Sequence, residues 1–282
     1  MNSFDGEYGA TMEAVGCYKR GCSELAENRD LPSIFSVILT AGNYLNGGTV
    51  RGQADGFDLA ILRRLDSVKA TPKTSSKESG PAAARMTLLD YVVRCCYGQN
   101  RNRRVVLTES MQNVVRCPKR GKLSEIKHRA MGLVHRLKGC QTMKQRLDST
   151  KKDDVRFIEF LSTFIAEKGH QIEALQAAME DAVKHYAEII TFYDETAHRT
   201  LDQSQEFMTI LADFAVAFDR KMEQLIQAKA NGDAMSKKQN DATKHRKHNL
   251  GQKIPGFSQR QKSEGMLMHE LKRALNAKHL NT

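Results

Sequence analysis

The chain has 282 residues, 40% of them hydrophobic and 27% charged, with five Pro, no Trp and a formal net charge of +11. That length suffices for one large domain or two small ones around a sizeable core, and long stretches of Ala, Leu, Glu, Lys and Gln favour helices. The basic excess points either to an anionic partner (nucleic acid, acidic headgroups or an acidic protein face) or to plainly solvated surfaces.

No apolar run reaches the roughly 18 residues that span a bilayer. The opening MNSFDGEYGATMEAV lacks the apolar stretch of a signal peptide. The six Cys (Cys17, Cys22, Cys95, Cys96, Cys117, Cys140) show no CxxC spacing, and His128 and His135 complete no zinc pattern with Cys117 and Cys140. Scattered thiols fit a reducing, cytoplasmic setting without a metal or other cofactor.

In chain order, residues 11–29 read as a helix. A second helix is expected over Leu31–Asn46, where Pro32 suits a first turn and Ile34, Val37, Ile38 and Ala41 recur at helical spacing. It stops at Gly47-Gly48, where backbone freedom permits the exit turn. The polar loop TVRGQADGF follows, then a short helix with Leu59, Leu62 and Leu65 at i, i+3 and i+6. TPKTSSKESGPAAAR, residues 71–85, reads as a linker. MTLLDYVVRCC is helical again, with Thr87 placed to cap it. Residues 97–121 are basic without a sustained period and read as a loop.

From residue 122 the helical pattern is strong. Val155, Ile158, Leu161, Ile165, Ile172, Leu175, Met179, Val183, Tyr186, Ile190 and Tyr193 step by three, four or seven along one helix face. Asp153-Asp154 would favour the start of that helix. After a turn around Asp194 and residues 195–205, Phe207, Leu211, Phe214, Phe218 and Leu225 repeat the pattern. Such helices imply an antiparallel pair, a bundle or a coiled-coil contact. From Asn231 the composition shifts, with eleven Lys and Arg against three Asp and Glu from Ser236 onward. This tail, 231–282, reads as mostly disordered, with a short amphipathic helix at Met266–Leu280. The fold class expected is all-α: an elongated helical bundle with long antiparallel or coiled-coil helices and a disordered basic tail.

Catalytic chemistry does not stand out. GNYLNGG is followed by neither Lys-Ser nor Lys-Thr, so no phosphate loop is present there. His170, His185 and His198 lie among Lys and Glu and read as solvated surface. The informative string is GNYLNGGTVRGQADGFDLAILRRLDSVKA, residues 42–70. A helix end, a turn and a second helix account for Gly47 and Gly48. They do not account for Asn43, Tyr44 and Asn46 together at a helix C-terminus. Asn amides there would bond orphan carbonyls and hold the loop rigid, which suits docking better than catalysis.

This string closely resembles the signature of the formin homology 2 domain, through Gly42, Asn43, Tyr44, Leu45, Asn46, Gly56, Phe57, Leu62, Leu65 and Lys69. Thr87–Val93 is similar to the family's continuation, and Arg51–Phe57 is most similar to the formin/Cappuccino subgroup. IITFYDE, centred on Tyr193, and FMTILADFAVAFDRKMEQ, Phe207–Gln224, also resemble the family. The resemblance covers roughly residues 12–96 and 150–230. It implies a non-enzymatic, cytoskeletal role: actin nucleation and barbed-end assembly by a head-to-tail dimer of two such chains, with no small-molecule substrate. Gly42, Asn43, Tyr44, Leu45, Asn46, Gly56 and Phe57 would form the post on which a partner's lasso docks, and Lys69 would contact actin.

A bland account of Lys69 is a solvated lysine at a helix end. By the resemblance, 1–230 is a partial formin homology 2 domain from which the N-terminal lasso and knob are missing, and the tail is a candidate contact for microtubules or a Spire-type nucleator. Two alternatives stand beside this reading: an inert or dominant-negative helical scaffold, and a basic coiled-coil protein that binds microtubules or nucleic acid.

Overall fold

The computed structural model describes residues 2–49, 52–69, 86–100, 103–150 and 155–247. The expected linker at 71–85, the Asp153-Asp154 cap, Arg51 and the helix at Met266–Leu280 lie outside these. The named elements are all helical: α1 (Asn2–Glu27), α2 (Asp30–Leu45), α3 (Leu88–Gln99), α4 (Leu107–Ser110), α5 (Gln112–Arg116), α6 (Leu123–Thr150), α7 (Val155–Phe192) and α8 (Ser204–Lys247), with short 3-10 turns between them. The all-α class predicted from the sequence is the observed one. The chain forms two compact units, residues 1–28 with 108–213, and 29–107 with residues from 214 on.

The first unit rests on a seven-residue repeat. Phe4, Thr11, Val15, Tyr18, Cys22 and Leu25 of α1 are buried, as are Leu123, Ile126, Ala130, Leu133 and Leu137 of α6. On α7 the buried set is Leu161, Lys168, Ile172, Leu175, Met179, Ala182, Tyr186, Ile189 and Ile190. Steps of three and four keep one face of each helix toward the others, the geometry of coiled-coil packing. The face read from the sequence runs one turn too far, because Val155 is 61% exposed and the buried stripe begins at Leu161.

Polar pairs set the register of this seam. Lys168 occupies a core position and places its ammonium 2.6 Å from Asp5. Lys19 pairs with Asp181 at 2.5 Å, and the Tyr193 hydroxyl donates to the Leu25 carbonyl at 3.2 Å. These contacts climb both helices together, so α1 and α7 run parallel. Arg136 pairs with Glu7 and the Tyr18 hydroxyl donates to the Gly121 carbonyl at 2.7 Å, so α6 runs antiparallel to α1. Gly121 itself requires glycine, with φ +86°. Next to it the Leu123 N–H donates to Ser204 Oγ at 2.8 Å, so the start of α8 caps the start of α6.

Two expectations are corrected. Residues 97–121 are not a loop: α3 continues to Gln99, and α4, α5 and a 3-10 turn at Cys117–Arg120 follow. Val105, Leu107, Met111, Val114 and Cys117 are buried here. Helical pieces of four or five residues have no room for a period, and their end groups are satisfied from afar. Glu24 accepts the Asn113 and Val114 N–H groups at 2.8 and 3.1 Å, and Asp219 accepts the Leu107 N–H at 2.8 Å. Nor is His198 solvated. It is 7% exposed, its Nδ1 lies 3.1 Å from Glu195, and its carbonyl accepts the Tyr186 hydroxyl at 2.6 Å. Asp194, at φ +51°, makes the turn that tucks it in. His170, by contrast, is exposed as expected.

In the second unit, α2 packs on α3, and Phe35 of α2 meets Phe214 of α8 at 6.2 Å between ring centroids. α8 runs on to Lys247, through the first part of the segment expected to be disordered. The remaining tail, from 248, lies outside the described residues. No helix among the described residues is long and apolar enough to cross a membrane.

Candidate protein-docking site

The motif read from the sequence is assembled within the second unit. α2 ends at Leu45, and Asn46 closes it by donating its N–H to the Gly42 carbonyl at 2.9 Å. Gly48 then takes φ +90°. The Asn46 carbonyl accepts both the Thr49 N–H at 3.0 Å and the Thr49 hydroxyl at 2.7 Å. Gly52 comes so close that a Cβ there would lie 2.5 Å from the Asn46 oxygen, which only glycine avoids.

Asn43 locks the far side of this loop. Its Nδ2 donates to the Ala54 carbonyl and its Oδ1 accepts the Ala54 N–H, both at 2.9 Å. The amide therefore pairs with the loop backbone, not with the orphan helix carbonyls that the sequence suggested. Phe57 anchors the loop's end edge-on against Phe35, with centroids 5.6 Å apart. Leu45 points into the core at 4% exposed, while Tyr44 stands 41% exposed. Gly42 and Gly56 differ from Gly52: a Cβ at either would meet nothing within 4 Å.

The loop leads into Leu59–Arg64, whose N-cap Asp58 accepts the Ala60 N–H at 2.7 Å. Leu59, Leu62 and Leu65 are buried. Their strict spacing of three is the period of a 3-10 helix, which this element is. The chain then passes the start of α3, where Lys69 forms an isolated antiparallel bridge with Thr87. Thr87 caps α3 in a capping box with Asp90. Lys69 is exposed and makes no ion pair among the described residues. It sits beside the N-terminus of α3, the positive end, whose dipole does not favour a lysine.

An ion network holds this corner. Lys221 of α8 reaches Asp66 at 2.7 Å and Asp90 at 3.1 Å, and Arg220 reaches Asp66 at 3.2 Å. Burial works against ionised Asp66, but hydrogen bonds from Lys221 and Thr87, with the Lys221 and Arg220 charges, outweigh it and hold the carboxyl below its usual range. Burial likewise opposes the charge on Lys221, and its bonds to Asp66 and Asp90 reverse that and raise it. No local pattern marks Lys221, because its partners lie more than 130 positions away.

Beside the motif, α2 and α3 frame a cleft of about 490 Å³, lined among others by Ser36, Thr40, Ala41, Tyr91 and Cys95. None of its lining residues is a carboxylate, an imidazole or an amine. Among the described residues no group of three or more His, Cys, Asp or Glu is placed to hold a metal ion. The unit therefore presents a hydrogen-bonded polar turn, an exposed aromatic ring and an exposed cation.

Residues 1–219 match the family model of the Formin Homology 2 Domain, and the chain belongs to that family. The match spans 97–121, which the sequence motifs did not reach, and ends within α8. The chain is 27% identical over 266 residues to Protein cappuccino of Drosophila melanogaster, covering 88% of this chain and 24% of that protein. It is 24% identical over 197 residues to Formin-C of Dictyostelium discoideum, covering 69% and 16%. With Protein diaphanous homolog 3 of Homo sapiens it shares 23% identity over 213 residues, covering 73% and 16%. The chain thus spans about a quarter or less of the length of these relatives.

Proposed function

We propose that the chain is the actin-binding part of a formin, a non-enzymatic cytoskeletal factor acting in filament nucleation and barbed-end assembly. Lys69 contacts an acidic face of actin, and Gly42, Asn43, Tyr44, Leu45, Asn46, Gly56 and Phe57 receive the lasso of another formin chain in a dimer. The observation that carries this reading is the pairing of the Asn43 amide with the Ala54 backbone. Asn43 and Gly52 fix a surface that exposes Tyr44, and no internal contact explains why Gly42 and Gly56 lack a side chain. Lys69 supports it too, since the bridge to Thr87 holds its backbone while its ammonium is unpaired among the described residues.

The test is elongation of pyrene-labelled actin from preformed filament seeds, with the wild type, Lys69→Ala and a chain ending at Asn231. The expected result is altered barbed-end growth by the wild type and the truncated chain, and loss of the effect in Lys69→Ala. An effect that survives Lys69→Ala but disappears with the tail, and that falls steeply with salt, identifies instead a basic protein bound by charge alone. Self-association with no effect on actin in any version identifies a scaffold.

A further inference from the structure

The first unit holds a pair of thiols that the docking surface does not use. Cys17, on α1, and Cys117, which opens the 3-10 turn at Cys117–Arg120, are 100 residues apart in sequence, yet their Sγ atoms lie 3.6 Å from each other. α1 is shaped to receive the second thiol, because a Cβ at Gly21 would stand only 3.2 Å from Cys117 Sγ. Both residues are buried, at 3% and 0% exposed, but their surroundings are charged. Arg20 Nε donates to Asn113 Oδ1 at 3.2 Å, and the Asn113 carbonyl accepts from the Cys17 thiol at 3.5 Å. Arg120, about one third exposed, pairs with Glu13, and Glu24 lies on the Cys117 side.

The two sulfurs are unequal. The Cys117 hydrogen bond lowers Cys17 against the opposing effect of burial, helped by Arg120 and Arg20. The same contact and burial push Cys117 up. Either sulfur can donate their shared hydrogen bond; the Arg120 and Arg20 charges favour the thiolate on Cys17, which makes Cys17 the attacking thiol and Cys117 the resolving one.

We propose that Cys17 and Cys117 are a reversible redox site, oxidised by a peroxide to a disulfide that ties α1 to the Cys117–Arg120 turn. The Cys17 thiolate attacks one peroxide oxygen, the O–O bond breaks, and hydroxide leaves. Cys17 is then a sulfenic acid. Hydroxide takes the Cys117 proton, the Cys117 sulfur attacks Cys17, the S–O bond breaks, and the hydroxyl leaves as water once protonated. In sum two thiols lose two electrons and two protons, and one hydrogen peroxide becomes two waters. Closing from 3.6 Å to the ~2.05 Å of a disulfide asks for movement of a four-residue turn, not of a long helix. Such a long closed loop removes much freedom from the unfolded chain, so oxidation stabilises this unit.

The experiment treats the full chain with hydrogen peroxide, alkylates free thiols in denaturant, and maps the tryptic peptides without reduction. The expected product is one crosslink, Cys17 to Cys117, reversed by dithiothreitol, with a rise in thermal midpoint of about 5–10 °C. In Cys17→Ala, peroxide consumption of the Cys117 thiol should slow at least tenfold, while the half-buried Cys140 reacts as before. Both thiols found free at a peroxide dose that oxidises Cys140 would overturn the proposal. So would a crosslink between other cysteines, or Cys17 driven to sulfinic acid beside a free Cys117. The wild-type mapping needs no substitution, so it decides the matter even where a variant folds poorly.

Discussion

The first unit is held by an apolar seam that repeats every seven residues over three long helices, whereas the second is held where short elements meet, by Asn43, Thr87, Asp66 and Lys221. In the first, the Arg136–Glu7 pair lies at the edge, about half exposed, and one buried cation, Lys168, sits within the apolar face. In the second, the ion pairs are the joint: Lys221 is 13% exposed and touches both Asp66, just past the 3-10 segment, and Asp90 of α3. Each unit is therefore vulnerable in its own way. A seam fails by losing apolar volume, and a joint fails by losing a polar partner.

The largest effect should come from the seam. Leu175 of α7 is 0% exposed within that seam, so Leu175→Ala should lose about 2–5 kcal/mol. Urea unfolding measures it. Glu7→Ala, at an exposed pair in the same unit, should stay below about 1 kcal/mol. Comparable losses from both would mean that the charges, and not the repeat, hold this unit.

Next comes the joint. Lys221→Met leaves Asp90 without its cation and Asp66 with Arg220 alone, and should lose about 1–2 kcal/mol once solvent screening at Asp66 is allowed for. The pH dependence follows from the two shifts. Asp66 is depressed when folded, so its stabilisation is complete above the ordinary carboxylate pKa of about 4 and is lost as pH falls through the lower folded value. Lys221 is raised, so its stabilisation is complete below the ordinary lysine pKa of about 10 and is lost as pH climbs through the higher folded value. A stability profile of Lys221→Met should be flatter than the wild type at both ends. An unchanged profile would mean that the network does not hold the second unit together.

Smaller again is Asn43→Ala, which removes two hydrogen bonds to Ala54 and should cost about 1 kcal/mol. The loss should be local, read as faster hydrogen exchange at the Ala54 amide with little change at α7.

The same contrast governs what is legible in the sequence. Period makes the long helices readable: Leu175, Met179 and Tyr186 announce α7, and Leu59, Leu62 and Leu65 announce even the 3-10 spacing. Thr87 is readable as a cap because its partner Asp90 is three residues away. Residues 103–120 are not, because Leu107 and Asn113 are capped by Asp219 and Glu24, about 90 to 110 positions distant. His198 looks solvated because a local string cannot show Asp194 turning it under Phe207. In the docking motif, the importance of Asn43 is visible and its partner is not.

The smallest predicted change in stability is the most informative about the motif. Gly42 lies in the last turn of α2, and a methyl there meets nothing within 4 Å. Within the chain alone, Gly42→Ala should stabilise by about 0.5–1 kcal/mol, since alanine gives up less backbone freedom in a helix. If a second chain docks on this surface, the added methyl stands in its way. The variant should then be more stable to urea as a dilute monomer and yet weaker in self-association, measured by sedimentation at increasing concentration. Gain on both counts would mean that the open space at Gly42 is merely solvent, and the docking role of the motif would fall with it.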